Sequence, residues 1–317
     1  MQEPAGKRRE GRFLLGFCLM PLLGIGGCVS VGDLPENPPV MGMAPAELPQ
    51  PTLGDQSYYT GGRSERVTAV EGQTVSWYRS GGKHFQGSAD FTLPEELQES
   101  STKRVSNELI GDPNSIWPVN LGKNVKFSVK RVSTRKSSGV SGDPAERFWR
   151  CEVNSSESLS VAAGDFDVYR IDCTRSAANT RFRQRVVWYY APSIEKPVLR
   201  LNFRRYGKKN RLELMAFDPA LPGLSQQDQQ RFQQRFQQAM EKTPSGETVN
   251  WSKGAGKQIA ITPIKTLSWR DGTFCRNYRT QVKLGSYARQ GAGLVCRTET
   301  GEWKVPAKIS NKRGVRF

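Results

Sequence analysis

From Val125 the chain reads Val-Lys-Phe-Ser-Val-Lys, with apolar residues at the odd positions and basic or polar ones at the even positions. Side chains on a strand point to opposite faces in turn, so this pattern dictates a strand with one buried and one wet face. The same short runs recur at 66–70, 74–78, 148–153, 166–173, 181–190 and 198–206, divided by turn residues such as Gly72, Gly81-Gly82 and Gly164-Asp165. The spacing predicts a mainly β chain, with a meander of strands filling a β-rich domain over 55–220. The stretch 93–112 lacks alternation and is expected to hold one short helix and a loop. A second helix is clearer. Over 225–242, Phe232, Phe236 and Met240 recur every fourth residue, Ser225 can cap the start and Asp228 lies in the first turn. It is expected to join the first β-rich part to a second one over 243–306, followed by a basic tail over 307–317.

What precedes the strands reads as an address. Lys7, Arg8, Arg9 and Arg12 lead into an apolar run that ends Ile25-Gly26-Gly27-Cys28. That is a secretory signal over 1–27, and its end resembles a bacterial lipobox. About 15 residues at ~1.5 Å each fall short of a ~30 Å hydrocarbon core, so the run is an anchor signal and not a span. Cys28 is expected to be the lipidated N-terminus, carrying diacylglycerol and palmitate. Val29 in place of aspartate points to the outer membrane, with the periplasmic or surface face left open. Residues 28–54 are dense in proline and are expected to form an extended tether.

The chain has 47 Lys and Arg against 30 Asp and Glu, a formal charge of +17. Removing a leader with four basic and two acidic residues leaves +15. In an exported protein such an excess suits lipopolysaccharide or another anionic envelope component, and nucleic acid is not an expected partner. Of six cysteines, Cys18 leaves with the leader and Cys28 is acylated. Four cysteines in an oxidising compartment allow three disulfide connectivities, and the spacing favours Cys151 with Cys173 and Cys275 with Cys296. No metal or cofactor is expected, since there is no CxxC pair and His84 is the sole histidine.

The C-terminal part carries a recognisable series: Gly246-Glu247-Thr248-Val249-Asn250-Trp251, Ala260-Ile261-Thr262-Pro263, Gly272-Thr273-Phe274-Cys275-Arg276-Asn277-Tyr278, Gly293-Leu294-Val295-Cys296-Arg297 and Gly301-Glu302-Trp303. It resembles the C-terminal domain of the 17 kDa surface antigen family of outer-membrane lipoproteins, over about residues 240–305. The resemblance implies a small β-rich domain and a lipoprotein location, and it implies no reaction. Members of that family often carry a glycine-zipper hairpin ahead of this domain, which this chain lacks. Two stretches also resemble each other, Gly72 to Trp77 and Gly246 to Trp251, either as a duplicated module or as two similar turn-strand units.

Few residues offer catalysis. A nucleophilic triad would have to use His84, and no cysteine is expected to be free, which excludes that class. Glu95-Glu96 are the sole hint of paired carboxylates, and the run Lys253 to Lys257 lacks the first glycine and the Ser/Thr of a phosphate loop. The stronger candidates are Arg181, Arg183 and Arg185, which alternation places on one strand face, with Arg200, Arg204 and Arg205 beside them as an anion-binding patch. The reading is therefore a lipid-anchored, surface-antigen-like envelope protein with a binding or structural role and no enzymatic activity. The alternative is a glycan- or lipid-modifying enzyme that works through carboxylates.

Overall fold

Alternation becomes a closed wall. The computed structural model describes Leu34 and residues 37–178, 181–254, 256–268 and 272–307. The leader, Cys28 and nearly all of the basic tail lie outside the described residues. Twelve strands follow one another antiparallel: β1 (Gln56–Tyr59), β2 (Arg63–Glu71), β3 (Thr74–Arg79), β4 (Lys83–Ser88), β5 (Leu97–Glu99), β6 (Lys103–Ile110), β7 (Asn124–Arg135), β8 (Ala145–Val161), β9 (Gly164–Ser176), β10 (Phe182–Ala191), β11 (Lys196–Arg204) and β12 (Lys209–Asp218). The last returns to the first, with Gln56 opposite Asp218 and Ser57 opposite Phe217, and the meander closes into a barrel. The stretch 93–112 is not helical. It supplies β5 and β6, whose pairing is short and polar enough to hide the alternation.

The inward phase of β7 to β10 is apolar. Val125, Phe127, Val129, Cys151, Val153, Ile171, Cys173 and Tyr190 form one buried cluster, while Lys126, Lys130 and Arg150 of the opposite phase are exposed. That charged exterior suits water and is the reverse of the apolar girdle of a lipid-facing barrel. Cys151 and Cys173 sit directly opposite across β8 and β9 and form a disulfide inside this cluster.

The described part of the proline-rich segment, 37–54, does not hang free as a tether. It runs across one end of the barrel. Pro39 bridges to Glu157, Ala46 pairs with Val119, and the Tyr169 hydroxyl donates to the carbonyls of Met43 (2.9 Å) and Ala44 (3.0 Å). A proline-rich chain has few N–H donors of its own to satisfy but keeps every carbonyl, which is why buried tyrosines can hold it.

The helix α1 (Gln226–Lys242) forms as expected, with Ser225 Oγ accepting from the Asp228 N–H at 3.2 Å. Its stripe does not bridge two halves. Phe232, Phe236 and Met240 pack with Ile259, Ile261, Tyr278 and Val282 of the sheet that follows: β13 (Val249–Ser252), β14 (Lys257–Ser268), β15 (Phe274–Leu284), β16 (Tyr287–Arg297) and β17 (Trp303–Lys304). Burying each of those helix side chains is worth about 1.5–3 kcal/mol, more than this glutamine-rich helix gains from propensity. A second disulfide joins the opposed Cys275 and Cys296 of β15 and β16.

The series that carries the family resemblance is the framework of this unit. Arg276 Nη1 donates to the Met240 carbonyl at 2.8 Å and closes the end of α1. Glu241 accepts from Trp303 Nε1 (2.9 Å) and from Arg297 (3.0 Å). Two lysines pin the other end, Lys253 paired to Asp228 and Lys257 Nζ donating to the Gly223 carbonyl. Past the end of β11 pairing, β16 takes over that edge of β12, with Gly293 opposite Ala216 and Ala292 opposite Phe217. The two GxTVxW stretches have different settings, since β3 is paired on both sides within the barrel whereas β13 pairs with β14.

Candidate functional site

A barrel of about eight strands is filled by its own side chains, and a wider one leaves space. Here twelve strands enclose a cavity of about 660 Å³ lined by residues from eleven of them. One end is closed. Pro49 of the N-terminal segment, Asp55, Asp90 and Thr92 line it and are buried. At the other end Arg131 and Arg204 line the cavity and are exposed, so the mouth opens there.

Charge is layered along the cavity. At the floor, Asp55 accepts from the Ala220 N–H (2.9 Å) and faces Lys196 (3.8 Å) and Arg289 (3.9 Å). Asp90 Oδ1 accepts from both the backbone N–H and the hydroxyl of Thr92, and burial raises its pKa. Midway, Glu65 is bridged by Arg63 and by Arg79 at 2.6 Å. Burial alone would push the Glu65 carboxyl up, but the two guanidinium groups outweigh it and hold it below its usual value. Arg200 lies over the Trp188 ring at 5.1 Å, and burial followed by the nearby Arg63 lowers its pKa.

At the mouth the balance is lost. Arg131, Arg175, Arg183 and Arg204 line it, and among the described residues none has a carboxylate partner. Burial, then repulsion from Arg147, Arg131, Arg204 and Arg183, pulls the Arg175 guanidinium down to about 10. The Nε groups of Arg175, Arg183 and Arg200 and the Trp188 indole N–H are buried with no acceptor among the described residues. Buried donors carrying excess positive charge have the chemistry that complements an anion.

The anticipated arginine patch is therefore divided. A β-bulge between Phe182 and Gln184 brings Arg183 and Gln184 to the cavity together, and Arg200 and Arg204 join them from β11. Arg185 does not: it pairs with Asp172 at 2.9 Å on the other face of the wall. Arg181 lies in the loop before β10 outside the cavity lining, and Arg205 stacks on Tyr206 at the rim, 4.7 Å from the ring. A bulge inserts one residue and reverses the phase, which strict alternation cannot register. Arg63, Arg79, Arg131 and Arg175 were not anticipated. The signal for two of them was present. Arg131 continues the inward phase of Val125, Phe127 and Val129, and Arg175 that of Ile171 and Cys173. Of the acidic pair, Glu96 is exposed, whereas Glu95 lines the cavity and faces Arg79 at 3.5 Å. His84 lies on the exposed side of β4 against Tyr78.

Comparison with known proteins singles out the C-terminal part of the chain. The sequence pattern of the 17 kDa outer membrane surface antigen family matches residues 238–304. The 17 kDa surface antigen of Rickettsia felis is 34% identical over 84 residues, 26% of this chain and 53% of that protein. That of Rickettsia prowazekii is 31% identical over 81 residues, 25% of this chain and 51% of that protein. This chain spans about half the length of these relatives. Among solved structures, the hypothetical lipoprotein YmcC from Escherichia coli aligns over 54% of this chain and 90% of its own, at 8% identity and a TM-score of 0.35. A putative exported protein with a YmcC-like fold from Bacteroides fragilis aligns over 53% and 97%, at 12% identity and a TM-score of 0.32. The part of the chain from the end of α1 through β17 thus carries the pattern of the 17 kDa outer membrane surface antigens.

Proposed function

We propose that this is an envelope protein, lipid-anchored at Cys28 in the outer membrane, that binds an anionic component of the envelope in its barrel. The observation that carries the binding reading is the mouth of uncompensated arginines around Arg175. The envelope location is supported by the surface-antigen pattern over 238–304 and by the lipobox-like Ile25 to Cys28.

Binding is favoured over carboxylate catalysis by the state of the cavity acids. A general acid needs a pKa lifted toward neutrality, yet Glu65 is held down between Arg63 and Arg79. Asp55 is committed to Lys196, Arg289 and a backbone N–H. Asp90 alone among these three is raised by burial, with one oxygen bonded to Thr92, whereas catalysis of this kind needs two carboxyls in complementary states. The arginines, by contrast, have donors to spare.

Trp149 and Trp188 line the cavity, so ligand entry has an optical readout. Titration with inorganic tripolyphosphate is expected to change tryptophan emission saturably, and Arg175→Gln with Arg183→Gln is expected to remove that response. A response unchanged in the variant would refute the site. For the anchor, Cys28→Ser is expected to abolish labelling by a fatty-acid probe, and persistent labelling would refute it.

A further inference from the structure

The cavity lining is buried toward one end and exposed toward the other, the arrangement of a floor and a mouth. Buried Pro49, Asp55 and Asp90 line one end, and exposed Arg131 and Arg204 the other. Around that mouth run the hairpin loops at 60–62, 80–82, 100–102, 136–144 and 205–208. At or beside them Lys83, Lys103, Arg104, Arg135, Lys208 and Lys209 are exposed, and none of the six has a carboxylate partner among the described residues. Asp143, Glu99 and Glu146 are the acids at this end, fewer than its basic residues, whereas the loops of the opposite end carry Glu71, Glu96, Asp112 and Glu195 against Lys123. The barrel is thus polarised, with its positive end surrounding the mouth.

From this we infer that the barrel captures linear polyanions by their ends: the terminal anionic group enters the arginine mouth and the groups behind it lie on the basic rim. This rests on the cavity being an anion site. A channel open at both ends could thread the middle of a chain, but a blind one admits only a terminus. The rim adds attraction for what remains outside, because charges within about 8 Å still act on one another at physiological salt.

The test uses the full-length oxidised chain with linear tetraphosphate, cyclic hexaphosphate of comparable charge, and long linear polyphosphates of graded length. End capture predicts that each long chain holds one protein per terminus whatever its length, read by sedimentation. It also predicts that the cyclic compound, which has no terminus, binds at least tenfold more weakly than the linear tetraphosphate. Changing Lys83, Lys208 and Lys209 to Gln should leave tetraphosphate affinity in place and weaken the long chain roughly tenfold or more. Changing Lys126, Lys265 and Lys283 to Gln removes equal charge far from the rim and should alter neither. Loading that grows with chain length, or equal affinity for the cyclic compound, overturns end capture while leaving the cavity an anion site. Absence of binding by every phosphate overturns both.

Discussion

The Tyr278 hydroxyl donates to Asp218 Oδ1 at 2.7 Å, linking the C-terminal sheet to the last residue of the barrel wall. Tyr278 is buried and Asp218 largely so, and burial is the main reason that Asp218 titrates above its ordinary 3.8, with the Tyr278 bond pulling partly the other way. A carboxyl whose folded pKa exceeds its unfolded one contributes stability below the unfolded value and loses it as pH rises through the folded value. Asp218→Asn is therefore expected to gain stability relative to the parent as pH rises from about 4 toward neutrality. Melting temperatures of the two proteins across that window decide it; a constant difference refutes the linkage. Tyr278→Phe should cost about 1–3 kcal/mol by leaving the carboxyl without its donor.

At Gly293 β16 packs tightly against β12. A Cβ there would lie 2.6 Å from Ala216 Cβ and 2.7 Å from the Tyr278 hydroxyl. Gly293→Ala is expected to destabilise the protein by about 1–3 kcal/mol through overpacking. Denaturant unfolding with no loss in midpoint would contradict this contact.

Each disulfide closes a loop of 22 or 21 residues between directly opposed strand positions. Loop entropy assigns each about 3 kcal/mol. Replacing either pair with serine should lower the melting temperature by roughly 5–10 °C. Peptide mapping without reductant should recover the 151–173 and 275–296 links, and a crossed pair would exclude this fold.

Arg175 is expected to trade stability for binding. Its burial among Arg147, Arg131, Arg204 and Arg183 opposes its own charge. Arg175→Gln should therefore raise stability by on the order of 1 kcal/mol while weakening anion binding. Loss of stability would show that its contact with the Trp149 ring, at 5.6 Å, outweighs the repulsion.

The wall was legible because alternation is local: Val125 to Val129 and Phe148 to Val153 state their own faces. Its closure was not, since nothing near Gln56 names Asp218 as a neighbour. The 37–54 segment misled because proline density signals an extended chain but is silent on what that chain lies against. The stripe of α1 was clear and its target was not, as Phe232 and Phe236 would suit any apolar sheet. At the site, Arg131 and Arg175 were visible as arginines standing where the apolar phase of a strand called for a hydrophobe. Arg183 reaches the cavity only through a bulge.

The seam between β1 and β12 sets an order of events during biogenesis. As the chain is made N-terminus first, β1 can pair with β2 at once, but its other edge stays unpaired until residues 214–218 arrive. Until then the nascent sheet is an open ribbon with two sticky borders, the form most prone to join another copy edge to edge. A chain cut short before residue 214 would keep those borders permanently. In a cell, such fragments are candidates for chaperone capture and clumping well before any ligand is encountered.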